Sequence, residues 1–288
     1  MKKFLSALFV FLIAVSGFAS GNDEQLKKEW VDKDEKIIRD ALQFITTEDF
    51  SYNAIKKYMP SGPLVMNNEK LGFGLNKTGK GHPGGYLTIG YSYLEYDNLI
   101  LSFKIEISTR NFDRIKDNLP SDLVKSVTKT FTKDENFYRF EYSFDDNYKE
   151  YIKHKESIVG KQKELSIPES YREYYKLLTA PTSNSVYGTM VGFAGTEPEE
   201  NIAVRKLLEL KNKDIFINIL KGDNPAGRRY AADALLELES SQENINLINS
   251  IFDILRNEGV EYLEGEGCLM YIVPYPSVKY SKDSFSFY

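Results

Sequence analysis

The chain has 288 residues, 37 of them basic and 42 acidic, a net charge of −5 at neutral pH, two histidines and one cysteine. Lysine alternates with glutamate and aspartate through most polar stretches, so the dense cationic surface that binds a phosphate backbone is missing and nucleic acid is excluded as an expected partner. A lone Cys268 rules out an intramolecular disulfide, and His82 and His154 alone cannot build a histidine-rich metal site.

Met1, Lys2 and Lys3 precede an apolar run from Phe4 to Val15, followed by the small residues Ser16, Gly17, Ala19, Ser20 and Gly21. This is the pattern of a cleaved secretory signal peptide, residues 1–20, too short to span a bilayer. Cleavage after Ala19 or after Gly21 fits equally. No cysteine follows for acylation, and no later segment is long and apolar enough to cross a membrane, so the expectation is an exported protein, periplasmic or secreted, without a transmembrane anchor. Losing Lys2 and Lys3 takes the charge to 35 minus 42, or −7.

Residues 22–180 read as an α+β domain. From Gln25 to Ile45, Leu26, Trp30, Ile37, Ile38, Ala41, Leu42 and Ile45 recur at helical spacing and predict an amphipathic helix packed on a sheet. Ten glycines and prolines between Pro60 and Gly85 predict a long exposed loop. Beyond it Leu87, Ile89, Tyr91 and Tyr93 alternate with polar neighbours. Asp97–Asn98 supplies a two-residue turn, and Leu99, Leu101, Phe103, Ile105 and Ile107 return. Tyr138 to Phe144 adds a third strand of an antiparallel sheet with one buried face. Short helices are expected over 111–118, 121–130, from Tyr148, and over 169–178, with Pro181–Asn184 as a linker.

Residues 185–258 read as a helical module. Thr196 with Glu199, and Ser240 with Glu243, have capping-box spacing, and Asn224–Pro225 has the chemistry of a helix start. The last helix, 244–256, is apolar on more than one side and is expected to be sandwiched. Within this region the stretch Ile219 to Leu238, with its Asp223-Asn224-Pro225 turn, Arg228-Arg229 and Ala231-Ala232-Asp233-Ala234-Leu235, resembles a HEAT-type helical repeat, one unit over about residues 213–238. Gly227 stands where that family usually has a β-branched residue. The resemblance implies an arginine tying the interhelical turn to its neighbour, and binding or scaffolding as the function; Arg228 and Arg229 are the candidates it offers. Residues 259–288 form a strand-like aromatic tail, with Leu269 to Val273 able to return a strand to the protein.

Catalytic and cofactor motifs are absent. Gly74-x4-Gly79-Lys80-Gly81 lacks the Ser or Thr that a phosphate-binding loop places after its lysine, so no cofactor is expected. Gly-x-Ser-x-Gly and metal-ligand spacings are missing as well. Asp145–Asp146 reads as a helix cap, Glu197, Glu199 and Glu200 as helix N-terminal charges, His154 as a surface residue and Cys268 as a small buried one. His82, placed in the glycine-rich loop, and Tyr91 and Tyr93, able to stack on a sugar, complete the candidate binding residues. The sequence thus points to an exported, non-enzymatic binding or scaffolding protein with a protein partner. The alternatives are a polymer hydrolase built on unrecognised carboxylates, or a glycan-binding module.

Overall fold

A computed structural model describes residues 26–47, 49–58, 65–182, 184–192 and 195–277; the expected signal peptide, with its expected cleavage site, and the distal tail lie outside them. The described chain is mixed α+β, with an N-terminal antiparallel sheet followed by helices. No described helix is long and apolar enough to cross a membrane.

Helix α1 (Lys28–Thr47) buries Val31, Ile37, Ile38, Ala41, Phe44 and Ile45. Its Trp30, expected on the packed face, is instead 37% exposed and lies against Tyr86. The helix is followed by α2 (Tyr52–Tyr58). The anticipated loop is then replaced, over its described part, by a hairpin of β1 (Val65–Gly72) and β2 (Leu75–Pro83). Its glycines are distributed along strand structure: Gly72, Phe73 and Gly74 turn the chain at positive φ, while Gly79 and Gly81 pair within β2. Gly84 and Gly85 follow β2 for a different reason. A Cβ on Gly84 would stand 2.3 Å from the Asp34 carboxylate, and one on Gly85 2.3 Å from the Trp30 carbonyl, so only bare backbone fits under α1. Asp34 is fully buried there and accepts hydrogen bonds from the N–H groups of Gly85 (2.7 Å), Tyr86 (2.9 Å) and Leu87 (3.0 Å).

Strands β3 (Thr88–Tyr96) and β4 (Leu99–Ser108) form the expected hairpin, with Asp97 and Asn98 at φ 46° and 62°. Helices α3 (Thr109–Ile115) and α4 (Ser121–Thr130) lead to β5 (Thr132–Lys133) and β6 (Phe137–Ser143), giving the sheet order β1-β2-β3-β4-β6-β5. One face, carrying Ile89, Tyr91, Tyr93, Phe103, Ile105 and Ile107, packs under α1 to α4. The opposite face carries the Glu106–Arg139 pair at 2.8 Å, while Leu94 and Leu101 are buried in a second core.

Helices α5 (Asp145–Val159) and α6 (Glu169–Thr179) connect to a helical region. It contains β7 (Val186–Tyr187), α7 (Glu199–Leu208), α8 (Lys213–Leu220), α9 (Pro225–Leu238) and α10 (Gln242–Asn257). Strands β8 (Glu261–Glu266) and β9 (Leu269–Pro274) complete a second sheet in the order β7-β8-β9. Leu71, Phe73 and Leu75 at the tip of the first hairpin share one core with α5 to α10.

Several local expectations shift. Thr196 bridges Val191 and caps nothing; Pro198 is the N-cap of α7. The α10 cap is Ser241, one residue beyond Ser240. The helix buried on nearly every side is α9, whereas α10 buries one face. A helix surrounded by neighbours needs small residues, and Gly227 with Ala226, Ala231, Ala232 and Ala234 supplies them. At Gly227 the reason is direct, since a Cβ would lie 2.1 Å from the Leu178 carbonyl of α6. Asp145 and Asp146 occupy the first turn of α5 without capping it, and Asp146 pairs with Lys149. Cys268 is exposed, because it sits at the β8–β9 turn. His154 is half-buried against the Tyr96 ring, 4.9 Å between centroids.

Candidate functional site

The residues singled out from the sequence do not converge. His82 pairs with Ile89 in the β2–β3 ladder, half-buried on the side of α1, so it belongs to a strand rather than a loop. Burial pushes its pKa below the ordinary histidine value, partly opposed by Asp40. Tyr91 and Tyr93 lie inside the core under α1 and α2, and the Tyr91 hydroxyl meets that of Tyr58 at 3.3 Å. Neither ring offers a stacking face to a sugar. They alternate in register with Leu87 and Ile89, which is why they turn inward.

Arg228 and Arg229 are also internal. Arg228 is fully buried; its Nε donates to the Gly222 carbonyl at 2.7 Å and its Nη1 to the Leu71 carbonyl, and its guanidinium lies 4.6 Å from the Phe73 ring centroid. Asp223, beside it, accepts from the Tyr151 hydroxyl at 2.6 Å and from the buried Lys155 ammonium at 2.9 Å. This network joins the α8–α9 turn, α5 and the hairpin tip. Arg229 ion-pairs with Asp233 and covers the Tyr187 ring at 4.6 Å, while the Tyr187 hydroxyl donates to Asp233 at 2.6 Å. Both arginines hold α9 to its neighbours, so neither is a solvent-facing ligand group.

The region of the former loop forms a polar cleft of about 490 Å³ lined by residues including Lys56, Asn76, Lys80, Glu69 and Glu95. Glu95 is in register with Asn76 and Glu69 with Lys77, adjacent residues of one strand, so the two carboxylates project to opposite sheet faces. They are not arranged to flank one scissile bond. Among the described residues no group of three or more His, Cys, Asp or Glu could hold a metal ion.

The feature that stands out lies on the second sheet. Strand β9 is its edge: β8 lies on one side and no strand among the described residues on the other. Leu269, Met270, Tyr271 and Ile272 are 58%, 54%, 44% and 69% exposed, so consecutive residues, which point to opposite faces, are both open to solvent. Met190, next to Val191, is 56% exposed, and its carbonyl accepts from the N–H of Gly267 in the β8–β9 turn. The strand is held from behind. Tyr275, just beyond it, is buried against Phe252 and Tyr262 and donates to the Pro225 carbonyl at 2.8 Å, and Arg256 donates to the carbonyls of Tyr275 and Pro276. Tyr230 of α9 accepts from the Gly188 N–H at 2.9 Å and fixes β7. A rigid mount thus presents unpaired backbone and apolar side chains, a combination that soluble proteins ordinarily suppress on edge strands with charge, proline or a cover.

Sequence reasoning recognised 269–273 as strand-like but did not place a site there. The available signal was an unbroken apolar run beside the acidic β8 residues Glu261, Glu264 and Glu266. Compared with protein-family models, with curated proteins and with solved structures, the chain matches none.

Proposed function

We propose that this is an exported binding or scaffolding protein that docks another macromolecule by adding a strand to β9. The observation that carries the reading is the edge strand, with four consecutive apolar side chains open to solvent. In strand addition, the ladder of main-chain hydrogen bonds gives affinity and alternate side chains give selectivity. Several exposed large apolar residues contiguous on one edge are uncommon on a protein that works alone. The export signal expected from residues 1–20 supports an encounter outside the cytoplasm, and in this reading the HEAT-like α8–α9 pair serves as the mount that holds the second sheet against the first.

Site-specific photo-cross-linking in the native host tests this. A photoreactive residue at Ile272 is expected to yield a discrete adduct that one at Lys28, remote from the second sheet, does not, and Met270→Glu with Ile272→Glu is expected to abolish it. Equal labelling from both positions, or none from Ile272, would count against the assignment.

A further inference from the structure

Building on the assignment of β9 as a docking edge, we infer that its occupant is an extended protein segment in which apolar residues alternate with basic ones. The register of the second sheet gives its two faces different chemistry. On one face Ile272 is opposite Leu263 and Met270 opposite Gly265. There Val186 and Val191 close over Gly265, within 3.0 Å of where its Cβ would stand. From Leu263 to Gly265 that face is apolar from the edge inward, with Glu261 beyond it opposite Pro274, and a strand added to β9 would meet Met270 and Ile272 with apolar side chains of its own.

On the other face Tyr271 is opposite Glu264 and Leu269 opposite Glu266. Behind each exposed edge residue of this face therefore stands a carboxylate, and no ion pair among the described residues involves Glu264 or Glu266. An added strand lies two strand spacings from β8, about 10 Å, close to one screening length at ordinary salt. Its side chains on this face enter a negative field, and long basic side chains lying over Tyr271 and Leu269 shorten the distance further. The Tyr271 ring, 44% exposed, offers such a cation its face. Because side chains alternate along a strand, apolar on one face and cationic on the other translates into a period-two sequence.

A second copy of this chain is a poorer occupant. Leu269 to Pro274 carries no charge, so a copy would bring no cation and would add its own acidic β8. The strip is also short: six residues span about 20 Å, and with a sheet half-spacing to either side this gives on the order of 200–400 Å² per partner, below the roughly 800 Å² of a stable protein interface. Pairing with a tethered or abundant segment does not need that area.

The test uses the mature chain and three fluorescent nine-residue peptides: alternating valine and lysine, alternating valine and glutamate, and the lysine peptide with a central proline. The valine–lysine peptide is expected to bind at least tenfold more tightly than the other two, to weaken with added salt, and to slow hydrogen exchange at 269–273. Glu264→Gln with Glu266→Gln is expected to reduce its affinity about threefold or more, while Asp145→Asn with Asp146→Asn, remote from the edge, leaves it unchanged. Equal binding of lysine and glutamate peptides at β9 would overturn the charge selectivity and leave the docking edge standing. Concentration-dependent dimerisation through 269–273 without peptide binding would overturn the proposal in favour of a second copy. Absence of any binding at β9, with the photo-cross-link from Ile272 also absent, would remove both readings.

Discussion

Replacing Arg228 should separate the two halves of the molecule energetically. Arg228→Met keeps most of the stem volume but removes the donors to the carbonyls of Gly222 and Leu71, one in the α8–α9 turn and one at the end of β1. Replacing a whole buried ionic group with apolar residues can be neutral when every partner is replaced with it. Here the carbonyls remain, and a buried acceptor left without a donor costs roughly 1–3 kcal/mol. Two of them, with loss of the cation over Phe73, give roughly 3–4 kcal/mol. Arg228→Ala adds a cavity and should lose roughly 1–2 kcal/mol more. Urea unfolding of the mature chain, followed by tyrosine fluorescence and far-ultraviolet circular dichroism, reads both. A change under about 1 kcal/mol for Arg228→Met would refute the claim that this side chain ties the hairpin tip to the helical region.

Other expectations follow from the same packing. Gly227→Val should destabilise by about 3 kcal/mol or more in urea unfolding, because its Cβ must displace α6 at Leu178. Asp34→Ala should cost roughly 3 kcal/mol by freeing three N–H groups of the 85–87 loop, and Asp34→Asn, which still accepts, less than half of that. Burial raises the Tyr58 and Tyr262 pKa values to about 12, above their unfolded values near 10. The unfolded chain therefore loses these protons first, so their contribution is complete below pH 10 and disappears as pH rises from about 10 to about 12. The urea midpoint should fall across that window, and Tyr58→Phe should make the fall shallower.

Legibility in the sequence followed local chemistry. Asp97–Asn98 marked the β3–β4 hairpin because both residue types accept positive φ, and Asn224–Pro225 marked the start of α9, where Asn224 accepts from the Gly227 N–H at 2.8 Å. The β1–β2 hairpin was hidden because glycines that serve a turn, a ladder and a close helix approach look alike in a string. Thr196 had the spacing of a capping box but was recruited by Val191, a tertiary pairing that spacing does not reveal. Arg228 and Arg229, candidate binding residues in the sequence, are enclosed instead by Asp223, Asp233 and backbone carbonyls, tertiary partners that a string of residues does not show. The edge was hidden for the opposite reason: five apolar residues in a row, Leu269 to Val273, read as a strand returned to the protein, and only sheet order shows one side open among the described residues.

The docking account stands on β9 being open in the free protein. Amide hydrogen exchange on the isolated mature chain, resolved to single residues by NMR, tests that most directly. Outward-facing amides of Leu269 to Val273 should exchange at least a hundredfold faster than those of the central strand β3, while the inward-facing ones paired to β8 remain protected. Uniform protection across β9 at the level of β3 would show the edge already covered within the chain, and would contradict its assignment as a docking strand.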